Sequence, residues 1–365
     1  MLTVEEVVWA YRLYLDREPE NDNAIKSALK NHTNRQTWIQ SIKNSAEYKK
    51  KTGATNPGPG AGSNPGAGAG PSPFWHYLSA FDAIKTVNKY ANAQINASPS
   101  HVTNFLGVKV RPEFAPNILA NRVGTVEPAP IPANWHADIA EWASCLRSVD
   151  LSGDRFTMLE LGCGWGCWMN NLGVAAKSAG KKIKLYGIEA DQEHLRFASS
   201  SLNDNGITEK EFVLSQGIVG KAESVALFPS IKSGINWGGA AIFNPTSQQL
   251  SEAVDSGKYV RMPVVDIDAL IKDEKRLDFM HVDIQGAELG LLTELFDLLC
   301  KKVRYIVIGT HSKQIEGGLF DLFTSNNAWK LEMERPAIFK LTDGRPVVQV
   351  DGVQAWRNCT FDEKI

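Results

Sequence analysis

Asp283 and His311 are the residues best placed to do chemistry, because each closes an apolar run: Leu277-Asp-Phe-Met-His-Val-Asp283 and Val303-Arg-Tyr-Ile-Val-Ile-Gly-Thr-His311. Delivered by neighbouring buried strands, a carboxylate and an imidazole would face each other across a cleft, one accepting a proton while the other orients it. A free imidazole titrates near pH 6.5, which suits proton removal at neutrality, so His311 is the expected base. Asp283 then orients the ring or takes the proton itself, and His281 is a third catalytic candidate. Glu288 follows the turn at Gly286 and is an expected substrate contact. Asp283, Glu288 and His311 also offer oxygen and nitrogen donors to a divalent ion, magnesium by default, although their spacing matches no diagnostic metal motif.

The ligand these residues would serve is suggested by Met158-Leu-Glu-Leu-Gly-Cys-Gly-Trp-Gly-Cys-Trp168, an apolar run ending in an acid and three alternate glycines. Such a run reads as a strand turning into a helix around a nucleotide-like ligand, with Gly162, Gly164 and Gly166 free to adopt positive φ and admit the ligand to the backbone. A dinucleotide fingerprint requires Gly-x-Gly-x-x-Gly, and here Cys167 stands where its third glycine should be. Glu160 would repel a pyrophosphate but suits the cationic amino-acid end of S-adenosylmethionine. A second acid, Glu189, closes Lys182-Ile-Lys-Leu-Tyr-Gly-Ile-Glu189 one βαβ unit later, where a carboxylate holds ribose hydroxyls. Cys163 and Ala190 complete the expected cofactor contacts, with Ser215 and Gln216 beside the adenine. Trp237 and Gly238, in the glycine-rich stretch Ser233-Gly-Ile-Asn-Trp-Gly-Gly239, are expected to contact substrate from a lid, Trp237 stacking on a sugar face.

Positioning these residues requires a parallel sheet. From residue 155 onward apolar runs alternate with amphipathic helices, which predicts strands near 156–161, 183–189, 211–216, 277–283 and 303–309. The segment from Trp329 to Trp356, with Asp343-Gly344 as a turn signal, predicts a terminal β-hairpin at the sheet edge. Asp191 and Asp266 are expected to cap the helices that follow them. The fold class is thus α/β, a doubly wound Rossmann-like sheet over residues 135–365. Before it, residues 74–134 read as a helical cap, helical from Phe74 to about Ser98 and then irregular, and a helix is expected over 135–147. Residues 53–73 hold seven glycines and five prolines among 21 positions, a linker composition. Residues 1–52 carry apolar side chains at helical spacing, including Val4, Val7, Tyr11, Leu29, Trp38 and Ile42, and form a small all-α module.

The 365 residues, 43% of them hydrophobic, can bury one large core plus an accessory piece. A net charge of −2 argues against a nucleic-acid partner, which would show a basic excess. The five cysteines form no CxxC pair or regular framework and read as reduced cytoplasmic thiols. No run of 18 apolar residues occurs and the N-terminus lacks a basic segment followed by an apolar core, so neither a membrane span nor an export signal is expected.

Glu160 to Gly166, Glu189, Val265-Asp-Ile-Asp-Ala-Leu270 and His281-Val-Asp-Ile-Gln-Gly-Ala-Glu288 resemble the FkbM-type S-adenosylmethionine-dependent methyltransferases over residues 155–356. The resemblance implies a class I methyltransferase fold and O-methylation of sugars, polyketides or glycolipids. The chain departs from the common pattern at Gln285, where glutamate is more usual, and at His281, where lysine is frequent. Tyr14-Leu-Asp-Arg-Glu-Pro19, Trp38 and Ser45-Ala-Glu-Tyr48 resemble a short helical domain of unknown function that recurs in bacterial proteins, some tied to surface glycans, which implies a protein partner for residues 1–52. The expected activity is methylation of a hydroxyl on a glycan, sugar nucleotide or glycosylated metabolite. Its rivals are a nicotinamide-linked oxidoreductase and a scaffold that keeps the fold without turnover.

Overall fold

The computed structural model describes residues 2, 4–15, 19, 21–33, 35–52, 76–92, 94–220, 226–229, 242–243 and 245–362. The linker 53–73 and the pair Trp237 and Gly238 lie outside the described residues. The chain divides into two compact units, Met1–Ala69 and Gly70–Ile365. In the first, helices α1 (Val4–Leu15), α2 (Asp22–Asn31), α3 (Arg35–Asn44) and α4 (Ala46–Thr52) bury Val7, Ala10, Tyr14, Ala28, Trp38 and Ile42 together. Of the residues named for their helical spacing, Val7, Trp38 and Ile42 lie in this core, Tyr11 and Leu29 pack against it, and Val4 is exposed.

The second unit is built on an eight-stranded sheet: β1 (Leu78–Ser79), β2 (Arg155–Leu161), β3 (Lys182–Glu189), β4 (Phe212–Gln216), β5 (Phe279–Val282), β6 (Tyr305–Thr310), β7 (Trp329–Arg335) and β8 (Gly352–Asn358). Its order is β1-β7-β8-β6-β5-β2-β3-β4. Strands β4, β3, β2, β5 and β6 run parallel, and β8 is inserted antiparallel between β6 and β7. All five parallel strands fall within a few residues of the sequence expectation. Helices cover both faces, so β5 is buried at every position and β2 at every position after Arg155, which is why these strands read as continuous apolar runs. The chain runs outward from β2 to β4 and then returns to the other side of β2 to make β5. That reversal opens a crevice at the carboxyl ends of β2 and β5.

Helix α5 (Ala83–Tyr90) is shorter than the expected helix from Phe74 to Ser98, because Leu78 and Ser79 are drawn into the sheet as an edge strand against Met333 and Glu334. Helix α6 (Ile139–Leu151) starts four residues later than expected, since Asp138 caps it by accepting from the amides of Ala140 and Glu141. Helices α7 (Cys167–Ser178) and α8 (Gln192–Asp204) follow β2 and β3, and Asp191 caps α8 as the sequence indicates. Asp266 likewise caps the short helix Ile267–Leu270. Beyond β5 come α9 (Glu288–Glu294), α10 (Phe296–Lys302) and, after β6, α11 (Lys313–Thr324). The terminal pair is real but not a simple hairpin: β7 and β8 pair antiparallel across an excursion, Ile338–Thr342 against Arg345–Val350, and Asp343-Gly344 turns the tip of that excursion with φ of 50° and 74°. Between β4 and β5, where the sequence shows little pattern, Ala226–Pro229 pairs with Ile242–Phe243 and Tyr259–Met262 in a small separate sheet. No helix among the described residues is long and apolar enough to cross a membrane.

Candidate functional site

The glycine loop leaves β2 with φ of 72° at Gly162, 52° at Gly164 and 75° at Gly166, all in the left-handed region. Gly162 carries a second constraint: a Cβ there would sit 2.4 Å from the carbonyl oxygen of Asp283, so the ends of β2 and β5 approach closely only because this residue has no side chain. The amides of Gly162 and Cys163 donate to Ile188 O at 2.9 and 3.0 Å, tying the loop to β3. Glu189 finishes the tie by accepting from Gly164 N and Asp191 N, each at 2.8 Å.

Glu160 takes a different part from the one the sequence suggests. It is 2% exposed and accepts from the amides of Trp168 and Met169 at 3.2 and 2.9 Å, so its carboxylate serves the first turn of α7. Burial raises its pKa to about 7 against the opposing pull of His281, its register partner on β5, and of those two amides.

Asp283 and His311 do meet across the cleft, with Nε2 of His311 3.4 Å from Oδ1 of Asp283. The other ring nitrogen, Nδ1, lies 3.0 Å from Oε1 of Glu288, and Asp351 stands 3.9 Å from Nε2. Burial alone would lower the His311 pKa, but the two carboxylates outweigh it and raise it to about 10. His311 is thus an imidazolium at neutral pH, and the expectation that it is the base is corrected: a proton shared toward two carboxylates leaves no lone pair to accept another. Burial would raise the Asp283 carboxyl, yet its contact with His311, with His281 and His136 beyond, holds it below the usual range.

Glu288 is corrected as a substrate contact. Its side chain is 0% exposed against 43% for Asp283, so of the two only Asp283 can meet a ligand. Glu288 instead accepts from Ile284 N and Gly286 N at 3.1 and 3.0 Å and fixes the turn that aims Asp283. Donor atoms of Asp283, Glu288 and His311 lie within 4.8 Å of one another. They do not fit a single metal ion, because the imidazole sits between the carboxylates with a different nitrogen facing each, and magnesium prefers an all-oxygen shell.

His281 is 3% exposed, with Nε2 3.0 Å from Oε1 of Glu141 and its ring 5.6 Å from that of Trp168. Burial disfavours its charge, but Glu141, Glu160 and Asp283 prevail and raise its pKa.

A cleft of about 640 Å³ opens at the crevice, within the range of roughly 300–1,000 Å³ typical of small-ligand sites, and His311 and Glu288 are not part of its lining. Glu160, the glycine loop, Glu189, Ala190, His281 and Asp283 all contribute to its wall. Beyond β4 the wall is formed by Gly217, Ile218 and Val219; Ser215 and Gln216, in register with Ile188 and Glu189, are not among the lining residues. The sequence reading missed Trp135, His136, Glu141 and Arg335, which come from the segment before α6, from α6 itself and from β7. Asn134 and Asp138 bracket the first of these, and their turn and cap chemistry was the available signal.

A model of the methyltransferase FkbM domain matches residues 152–333. A "Putative methyltransferase" of Jannaschia sp. (strain CCS1) is 44% identical over 270 residues, covering 74% of this chain and 96% of that one. The chain belongs to the FkbM methyltransferase family. Solved structures overlap this methyltransferase more loosely. An O-methyltransferase from Bacillus cereus in complex with SAH is 14% identical, covering 55% of this chain and 73% of that chain at a TM-score of 0.31. An rRNA methylase from Streptococcus thermophilus is 10% identical, covering 60% and 96% at a TM-score of 0.35. His136 and Glu141 lie before the matched family region and Arg335 after it.

Proposed function

We propose that this FkbM methyltransferase transfers a methyl group from S-adenosylmethionine to a hydroxyl of an uncharged sugar, carried on a glycan or a glycosylated metabolite. The observation that carries the reading is the positive-φ glycine loop at the reversal of strand order, with Glu189 closing it on one side and Asp283 on the other. S-adenosylmethionine supplies an electrophilic methyl on a sulfonium. Glu189 stands at the carboxyl end of β3, where its carboxylate can exchange a backbone amide for ribose hydroxyls. Asp283 opens toward the reacting end and offers an acceptor for the acceptor hydroxyl's proton or for a sugar hydroxyl beside it.

The character of the acceptor follows from the wall. Glu141, Asp283 and Asp351 make it acidic. Among the described residues lining the cleft, Arg335 is the one Lys or Arg, and its Nε is engaged in a buried ion pair with Asp138. Among the described residues the wall thus offers a diphosphate one guanidinium, already paired with a carboxylate, which favours a neutral glycan over a sugar nucleotide. Half-buried Trp135 offers a ring for sugar stacking. The direct test is incubation with S-adenosylmethionine labelled in its methyl group and a panel of neutral oligosaccharides, sugar nucleotides and RNA. Label in the oligosaccharides supports the reading, whereas label confined to sugar nucleotides or RNA overturns the acceptor class.

A further inference from the structure

We propose that His136, at the tip of the turn before α6, is the base that removes the acceptor's hydroxyl proton. The inference rests on the O-methyltransferase reading and assigns proton removal to His136, leaving Asp283 to hold a sugar hydroxyl beside the reacting one. Its grounds are position, availability and the exclusion of the other imidazoles on the reacting side of the cleft. His136 lines the cleft and is exposed within it. Its backbone is pinned: Asn134 Oδ1 accepts from His136 N and Ala137 N at 3.0 Å each and from Trp142 Nε1 at 3.3 Å. Its ring is held among indoles, 5.3 Å from Trp135, 5.9 Å from Trp165 and 5.7 Å from Trp168. Neither ring nitrogen makes a hydrogen bond among the described residues, so the ring keeps both a lone pair and a donor unspent. A rigid backbone with a chemically unspent imidazole is what a general base requires.

The other two imidazoles are less available. His311 lies between Asp283 and Glu288, and His281 is 3% exposed, with Nε2 bound to Glu141 and Nδ1 enclosed without a partner. Titratable groups facing His136 come from α6 (Glu141), β5 (His281) and the turn after β5 (Asp283). The cleft walls lower the His136 pKa; Glu141 and Asp283 pull it back and His281 pushes it further down, leaving the ring below its ordinary value.

In the step this permits, a ring nitrogen of His136 takes the hydroxyl proton as the oxygen forms its bond to the methyl carbon. The carbon–sulfur bond breaks with its electron pair going to sulfur, leaving S-adenosylhomocysteine and a methyl ether. The imidazolium, steadied by Glu141 and Asp283, then returns its proton to solvent.

Two measurements on the full chain test this, the first with S-adenosylhomocysteine saturating and the second, a turnover assay, without it. In the first, brief treatment with diethyl pyrocarbonate at pH 7, mapped by peptide mass spectrometry, should modify His136 at least about tenfold faster than His281 or His311, since only a neutral, accessible imidazole reacts. His136 reacting no faster than those two overturns the proposal whatever the acceptor proves to be. In the second, methyl transfer from labelled S-adenosylmethionine to neutral methyl glycosides should fall about 10²–10⁴-fold in His136→Ala, with S-adenosylhomocysteine affinity within threefold of the parent and added imidazole restoring turnover. Turnover within threefold of the parent, or a loss that imidazole does not restore, overturns the proposal. If the parent methylates none of the glycosides, the failure belongs to the acceptor class, and the modification rates alone decide on His136.

Discussion

Replacing Gly162 by alanine probes the join between the glycine loop and the strand that carries Asp283, and Gly180→Ala supplies a matched control. Both glycines have similar φ, 72° and 76°, so both variants force an alanine into the left-handed region at roughly 1–2 kcal/mol, less about 0.4–1 kcal/mol from stiffening the unfolded chain. At Gly180 the new methyl meets nothing within 4 Å, and the net cost stays near 1 kcal/mol. At Gly162 it lands 2.4 Å from a backbone carbonyl, which cannot swing away as a side chain can. The ends of β2 and β5 must part, an overpacking cost of about 1–3 kcal/mol more. A domain of this size moves about 2 °C in Tm per kcal/mol, so Gly180→Ala should melt about 2 °C lower and Gly162→Ala about 4–8 °C lower. Scanning calorimetry can follow the transition of the larger unit separately from that of residues 1–69. Because parting the strands also displaces Asp283 and Glu189, Gly162→Ala should lose S-adenosylhomocysteine affinity at least about tenfold while Gly180→Ala keeps it. Equal Tm values for the two variants, or undiminished affinity in Gly162→Ala, would refute the argument.

Glu189→Ala leaves the amides of Gly164 and Asp191 without their acceptor and removes the expected ribose ligand, so donor affinity should fall at least about tenfold by calorimetry, with Glu189→Gln intermediate. The His311 pKa is raised from the ordinary imidazole value to about 10, so its pairing stabilises the fold fully below about pH 6.5 and ever less as pH rises through 10. The shift sets a ceiling on the order of 5 kcal/mol, reduced by solvent around the partly exposed Asp283. Denaturant midpoints at pH 6, 8 and 10 should therefore decline less in His311→Gln than in the parent, and parallel declines would contradict the ion-pair assignment.

Much of the sheet was legible because burial on both faces forces apolar runs, and the runs ending in Glu160, Glu189, Asp283 and His311 each mark a strand end at the crevice. The three alternate glycines were legible because their positive φ admits few other residues. What the sequence concealed is how side chains are shared. Nothing in the spacing shows that Glu160 would be drawn to the amides of α7, or that Glu288 would fold back beneath its own turn and clamp His311 into the charged state. These are tertiary consequences of two strand ends meeting. His136 was illegible for a different reason: it sits in an aperiodic segment, and its standing depends on indoles supplied by the glycine loop and α7. The fragment Leu78–Ser79 was read as helix because aromatic periodicity extends across it, while pairing with β7 outweighs that local preference.

The account depends on the crevice holding a sulfonium donor, and calorimetric titration of the full chain with S-adenosylmethionine, S-adenosylhomocysteine and NAD tests this most directly. The account predicts saturable one-to-one binding of the first two and none of NAD. Binding of NAD alone, or of none of the three, would contradict it.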